Sequence, residues 1–302
     1  MSDNWQQRAQ VRQISRDSST SELNFDLNKD DFRLDLLPFK EYPLFQQSSI
    51  ELQKQILSCG WIAYNEKTVD IEAQIVTPAC NYILYRDVPG VEDGISQQIV
   101  SETLTDEAYH ILLVVNACNV TRQYRNLEAL KLPSFDLVVK MRQEQAKCTE
   151  VWQKMLVQLA VAIVSEVFVS DYLDLLATDK TIQPLNRLTV ATHKQDEVSH
   201  SLIFIHLAKC LYHHLTNEQR TFFVDVLPKP VLWFASQEWR VWQTMLEQID
   251  FPNAAEMISD CAVRAESDLT RVDYSDLIAL SRELGILDSQ QGIDSFSRAG
   301  LL

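Results

Sequence analysis

From about residue 47 onward, apolar side chains recur every three to four positions, the spacing that lines one face of an α-helix. This periodicity predicts helices over 46–59 and 61–76, the second ended or kinked by Pro78. Val88-Pro89-Gly90 reads as a turn. A long helix is expected over about 93–124, with a stripe of Ile95, Ile99, Thr103, Glu107, His110, Val114 and Cys118. After Pro133-Ser134 the helical pattern runs to about 177, with a break near 147, and resumes over 182–214, 217–226, 228–249 and 253–284. No segment alternates apolar and polar residues convincingly enough for a strand, and no repeat of 20 to 50 residues is visible. Residues 1–45 have no period and are rich in Ser, Asp, Asn and Gln; they read as a polar N-terminal arm lying on the main body. The expected organisation is this arm, one helical domain over 46–284, and a turn-like C-terminal tail over 285–302. The fold class is all-α.

Composition agrees with long helices. The 302 residues include only six glycines, and none can be assembled into G-x-G-x-x-G or a phosphate-binding P-loop. Dinucleotide and P-loop nucleotide folds are thereby excluded. With 46% hydrophobic residues the chain can build a large core. A formal charge of −15 argues against a nucleic-acid partner, which needs a basic footprint. Acids and polar residues interrupt the most apolar stretch, 156–177, so no membrane span is expected. The N-terminus lacks an apolar signal core, and the six cysteines are scattered without C-x-x-C, which suits reduced thiols in a cytoplasmic protein.

Two short stretches change the picture. Asp106-Glu107-Ala108-Tyr109-His110 and Asp196-Glu197-Val198-Ser199-His200 are both D-E-x-x-H, 90 residues apart on separate predicted helices. Glu and His three positions apart share one helix face and reach one point. A single such pair is common on solvated surfaces; two copies on long helices point to a four-helix bundle with a di-iron carboxylate centre, to which the other two helices each add one carboxylate. These should be acids on otherwise apolar faces. Glu166 stands among Leu159, Ala162, Ile163, Val167, Val169 and Leu173, where an unpaired carboxylate would be costly without a metal. Glu72, surrounded by Trp61, Thr68, Val69, Ile75 and Val76, is preferred over Glu66 for the fourth helix. His193, four residues before Glu197, lies on the same stripe. The candidate ligands are Glu72, Glu107, His110, Glu166, His193, Glu197 and His200. Four glutamates balance the +4 of two ferrous ions, and mixed oxygen–imidazole donors suit iron, with manganese an alternative. Metal-bound histidines usually donate their second N–H to a carboxylate. Asp196 is expected to orient His110 in this way, and Asp106 to orient His200.

The pattern E…E-x-x-H…E…H-x-x-x-E-x-x-H resembles that of the p-aminobenzoate N-oxygenase family, non-haem di-iron amine and arylamine oxygenases on a ferritin-like bundle. The likeness covers roughly residues 60–210, with a looser match in Lys67-Thr68-x-x-x-Glu72 leading to Pro78-Ala79-Cys80. The third histidine distinguishes this pattern from ordinary ferritin-like oxidases. The resemblance implies O2 as co-substrate and a diferric peroxo species that oxidises an amine nitrogen to the hydroxylamine, nitroso or nitro level. It also implies a role in secondary metabolism, an external electron donor, and an amine that is free or carrier-bound. No substrate-binding residue is carried over. The helices after about 217 are expected to form pocket walls or the interface of a homodimer. The alternatives are a C–H hydroxylase or desaturase, or a non-catalytic protein that handles iron or peroxide.

Overall fold

The computed structural model describes residues 2–13, 25–265 and 273–302. Four long helical columns carry the fold. The first is α4 (Ile50–Ile71), which passes through a π-helical turn, Glu72–Val76, into α5 (Thr77–Leu84). The others are α6 (Gly94–Arg125), α8 (Val151–Ala177) and α9 (Pro184–His214). α4 packs along α6, α6 along α9, and α8 along α9 most extensively, with α5 closing on α8. No strand occurs among the described residues; an isolated bridge pairs Asp30 with Ile182. The result is an all-α bundle of the ferritin-like type.

Local chemistry explains the ends of the columns. The Ser49 side chain accepts from the Leu52 N–H at the start of α4. Asp93 accepts from the N–H groups of Ile95 and Ser96 at the start of α6, whose far end is closed by Asn126 in the left-handed region. Glu150 and Gln153 form a reciprocal capping box on α8, and Pro184 opens α9 at a position where its missing N–H costs nothing.

Several expected boundaries shift. The helices predicted over 46–59 and 61–76 are one, because Gly60 is helical rather than a breaker. A Cβ there would lie 2.9 Å from the Phe32 ring and 3.2 Å from Trp242, so glycine allows these aromatics to approach the helix. Pro78 neither ends nor sharply breaks the column. The wider π turn before it absorbs the missing donor, and the buried Gln158 amide on α8 donates to the carbonyls of Gln74 (3.0 Å) and Ile75 (2.8 Å). The break near 147 is present, separating α7 (Asp136–Ala146) from α8. The helix predicted over 228–249 divides into α11 (Lys229–Phe234) and α12 (Trp239–Gln248), with Glu238 between them at φ 55°. Of the helix predicted over 253–284, α13 (Ala254–Arg264) and α14 (Ser275–Glu283) are seen, and residues 266–272 lie outside the described residues. The tail is not turn-like: it forms α15 (Gln290–Arg298), which packs on α10 (Asn217–Val226) through buried Phe296. Ile95, assigned to the inner stripe of α6, is 71% exposed.

The N-terminal region opens with α1 (Ser2–Arg8) and α2 (Gln10–Gln13), lying on α6 and α9. Further on, Phe32, Leu37, Phe39 and, on the short α3 (Pro43–Gln46), Phe45 are buried, which aperiodic sequence gave no reason to expect. By length and composition α8 would suit a membrane span, but 93% of its most apolar window is buried in the bundle.

The apolar interior forms two clusters. One is built on α5, the 155–168 part of α8 and the 203–215 part of α9. The other gathers residues 32–64, the C-terminal end of α8, Val190 of α9, and α12 and α13. Between them every column carries polar groups: Glu72, residues 106–110, Glu166 and residues 193–200. All of the named acids and histidines in this layer are buried.

Candidate metal centre

In each D-E-x-x-H stretch, the helical repeat turns Glu and His inward, and the preceding Asp also ends up inside the bundle. Asp106, His110, Asp196 and His200 are all 0% exposed. The seven candidate ligands converge. His110 Nδ1 lies 3.2 Å from Glu197, 3.4 Å from Glu107 and 3.8 Å from Glu72. His200 Nδ1 lies 3.1 Å from Glu107, 3.4 Å from Glu197 and 3.8 Å from Glu166. His193 instead presents Nε2, at 2.9 Å from Glu197 and 3.1 Å from Glu72. Two overlapping quartets emerge, Glu72/His110/His193/Glu197 and Glu107/His110/Glu197/His200, each with donor atoms within 4.8 Å of one another. Glu166 stands beside the second quartet through its approach to His200. Glu66 is elsewhere, paired with Arg122.

The two aspartates cross over. Asp196 Oδ2 is 3.3 Å from His110 Nε2, and Asp106 Oδ2 is 3.3 Å from His200 Nε2. A carboxylate at this distance can only accept, so it holds a proton on Nε2 and turns Nδ1 toward the glutamates, where its lone pair is offered only when a cation takes the place of its proton.

Burial and charge act against each other throughout this layer. Desolvation, reinforced by the charges of Glu197 and Glu107, pushes Glu166 well above the usual carboxylate range. Desolvation carries Glu72 up to about 7, although His193 opposes it. For Glu197 burial also pushes upward, but His200, His110 and His193 outweigh it and hold the carboxyl well below its ordinary value. Burial favours neutral His110 and His200, yet the carboxylates around them raise both well above the usual imidazole range. Without another cation, the protein must balance its acids with protons on its own histidines.

That makes a chemical test of whether the layer suits a metal. Both oxygens of Glu72, Oε1 of Glu107, Oε2 of Glu166, Oε2 of Glu197 and Nδ1 of His200 are buried and, close as some stand to one another, make no hydrogen bond of good geometry. So many orphaned donors of the hard-oxygen and imidazole type in one sealed layer would be expensive in a metal-free design. They match the needs of two divalent cations.

Other polar groups nearby left no sequence signal. Trp5 and Arg8 reach Asp106 and Asp196 from the N-terminal arm. Lys67 forms a buried 2.9 Å ion pair with Glu238 and donates to the Phe234 carbonyl. Between this pair and the quartets, Tyr64 stacks on Trp61 and on Tyr172, and Tyr172 meets Phe234 edge-on. A lysine 171 residues from its partner carries no periodic mark in the sequence.

Comparison with known proteins agrees with this geometry. The family model described as p-aminobenzoate N-oxygenase AurF matches residues 1–285. The 4-aminobenzoate N-oxygenase of Streptomyces thioluteus is 28% identical over 290 residues, covering 94% of this chain and 85% of that protein. The match takes in all four columns and both D-E-x-x-H stretches, and the chain belongs to the p-aminobenzoate N-oxygenase family of oxidoreductases.

Proposed function

We propose that this enzyme is a di-iron N-oxygenase that oxidises the nitrogen of an aromatic amine with O2. The observation that carries the reading is the pair of overlapping quartets, whose orphaned donors lie in one buried layer of a chain belonging to an N-oxygenase family. Glu72, His110, His193 and Glu197 would hold one ion, and Glu107, His200 and Glu166 the other, with Glu197 and His110 near both. When bound, two iron ions supply the activation of O2 and the delivery of an oxygen atom to nitrogen.

The protein's own residues have three tasks in this reading. The four glutamates balance the metal charge. Asp106 and Asp196 accept Nε2–H of His200 and His110, which aims Nδ1 inward and makes it a stronger base toward a metal. The two apolar clusters exclude water from the reacting centre. The first oxidation converts R–NH2, O2, two electrons and two protons into R–NHOH and water, so an external electron donor is required.

The test is single-turnover chemistry. The iron-loaded protein is reduced anaerobically and mixed with O2 in the presence of 4-aminobenzoate or other arylamines. Amine-dependent oxygen consumption with a hydroxylamine, nitroso or nitro product is expected. Oxygen uptake that ignores the amine and deposits ferric mineral would refute the reading.

A further inference from the structure

Asp106 and Asp196 each give one oxygen to a histidine, and their remaining bonding capacity is taken by the N-terminal arm. The Trp5 indole N–H lies 2.9 Å from both oxygens of Asp106. Arg8 Nη1 lies 3.2 Å from Asp196 Oδ1 and 3.9 Å from Asp106 Oδ2. The Gln10 backbone N–H lies 3.3 Å from each oxygen of Asp196. Gln10 also ties the arm to α9 through Gln195 (2.7 Å), and Arg12 sits over the Trp5 ring at 5.5 Å. The hydrogen bonds from Trp5, Arg8 and Gln10 to the two aspartates span 101 to 188 residues of sequence and bring α1 and α2 onto the backs of both histidine-orienting acids.

We propose that Trp5 and Arg8 are positioning residues for the metal centre, holding Asp106 and Asp196 so that His200 and His110 keep one orientation. A carboxylate bonded through one oxygen can still turn about its terminal torsion, which is broad and soft. Donors on the other side fix its plane, and with it the imidazole it holds. Charge gives a second reason. The four glutamates already match two divalent ions, so the two aspartates add buried negative charge, and Arg8 offsets part of it at close range. The third is water. Both aspartates are fully buried, whereas the Arg8 side chain, 20% exposed, stands at the boundary with solvent. Removing the arm's side chains would let water compete for the carboxylates.

The inference rests on the reading of the site as a metal centre, and the experiment separates the two. The full-length protein and its Arg8→Met, Arg8→Lys and Trp5→Phe variants are loaded anaerobically with Fe(II) or Mn(II). Metal release into excess chelator is timed, and the electron paramagnetic resonance spectrum of the manganese form is recorded, with circular dichroism to check folding. Groups that bond a metal-bound histidine typically change metal affinity 10- to 100-fold, and groups that hold those groups act at the lower end of that range. Arg8→Met is therefore expected to release metal about 10-fold faster with an altered spectrum, Arg8→Lys to recover most of the loss, and Trp5→Phe to move both readouts in the same direction. In an Asp196→Asn background the Arg8→Met effect should shrink, to what the longer Arg8–Asp106 contact carries. Unchanged release and spectrum in Arg8→Met and Trp5→Phe would overturn the proposal while leaving the metal centre standing. So would an Arg8→Met effect that persists undiminished with Asp196→Asn. A wild-type chain that takes up no metal would overturn both readings.

Discussion

Glu238→Gln isolates a charge buried beside the metal layer. Lys67 and Glu238 are 2.9 Å apart, with side chains about 10% exposed. At an effective dielectric of ~20 their gross attraction is about 6 kcal/mol, part of which only offsets the cost of removing both charges from water. Burial alone would lower the Lys67 pKa, but the Glu238 charge outweighs it and raises the value above the ordinary lysine range. A raised lysine pKa means that the Lys67 contribution is complete below the unfolded value and fades only as pH climbs through the folded one, so it is intact at neutral pH. Glutamine preserves the shape and the acceptor for the Asp136 N–H (2.9 Å) but leaves the Lys67 ammonium buried beside a neutral group and the Phe234 carbonyl. The expected cost is about 3 kcal/mol, read from urea unfolding of the metal-free protein at pH 7. Lys67→Met should cost a similar amount, and the double variant Lys67→Met/Glu238→Gln much less than the two singles together, since neither charge is then stranded. Additive losses, or a Glu238→Gln cost below about 1 kcal/mol, would refute this account of the pair.

Glu166→Ala should raise the thermal midpoint of the metal-free protein, because it removes an unpartnered buried acid, while lowering metal uptake measured by elemental analysis. Fe(II) or Mn(II) at about 100 times its Kd should stabilise the wild-type protein by ~2.7 kcal/mol, and chelation should reverse the shift in the melting curve. Gly60→Val should cost about 2–3 kcal/mol in denaturant unfolding, because its side chain would enter space held by Phe32 and Trp242. Asp106→Asn should speed metal release about 10-fold or more while helix content by circular dichroism stays unchanged.

Those features of the site that repeat along a helix are legible in the sequence. Glu107 with His110 and Glu197 with His200 obey the three-residue spacing of one helix face, and Glu166 and Glu72 stand out as acids in apolar surroundings. At Gly60 and Pro78 the usual meanings, breaker and stop, do not hold, because those meanings are local. Gly60 serves an aromatic contact from distant parts of the chain, and Pro78 is accommodated by a π turn whose freed carbonyls meet Gln158. The tail helix α15 leaves little trace in the sequence because its nine residues hold only two large apolar side chains, Ile293 and Phe296, beside Gly292.

Sequence by itself determined which residues share a helix face, because that follows from 3.6 residues per turn and needs no partner. It therefore decided the long columns, the inward Glu–His pairs and the exclusion of nucleotide-binding folds. Tertiary structure alone decided what stands behind and beside those pairs. The crossing of Asp106 and Asp196 onto opposite histidines was inferable from the symmetry of two motifs, but the atoms meet only once α6 lies against α9. The grip of Trp5 and Arg8 on those aspartates, and the pairing of Lys67 with Glu238, join positions more than 100 residues apart. Such contacts have no period: they arise when packing removes water from polar groups and leaves each one to find the nearest remaining partner.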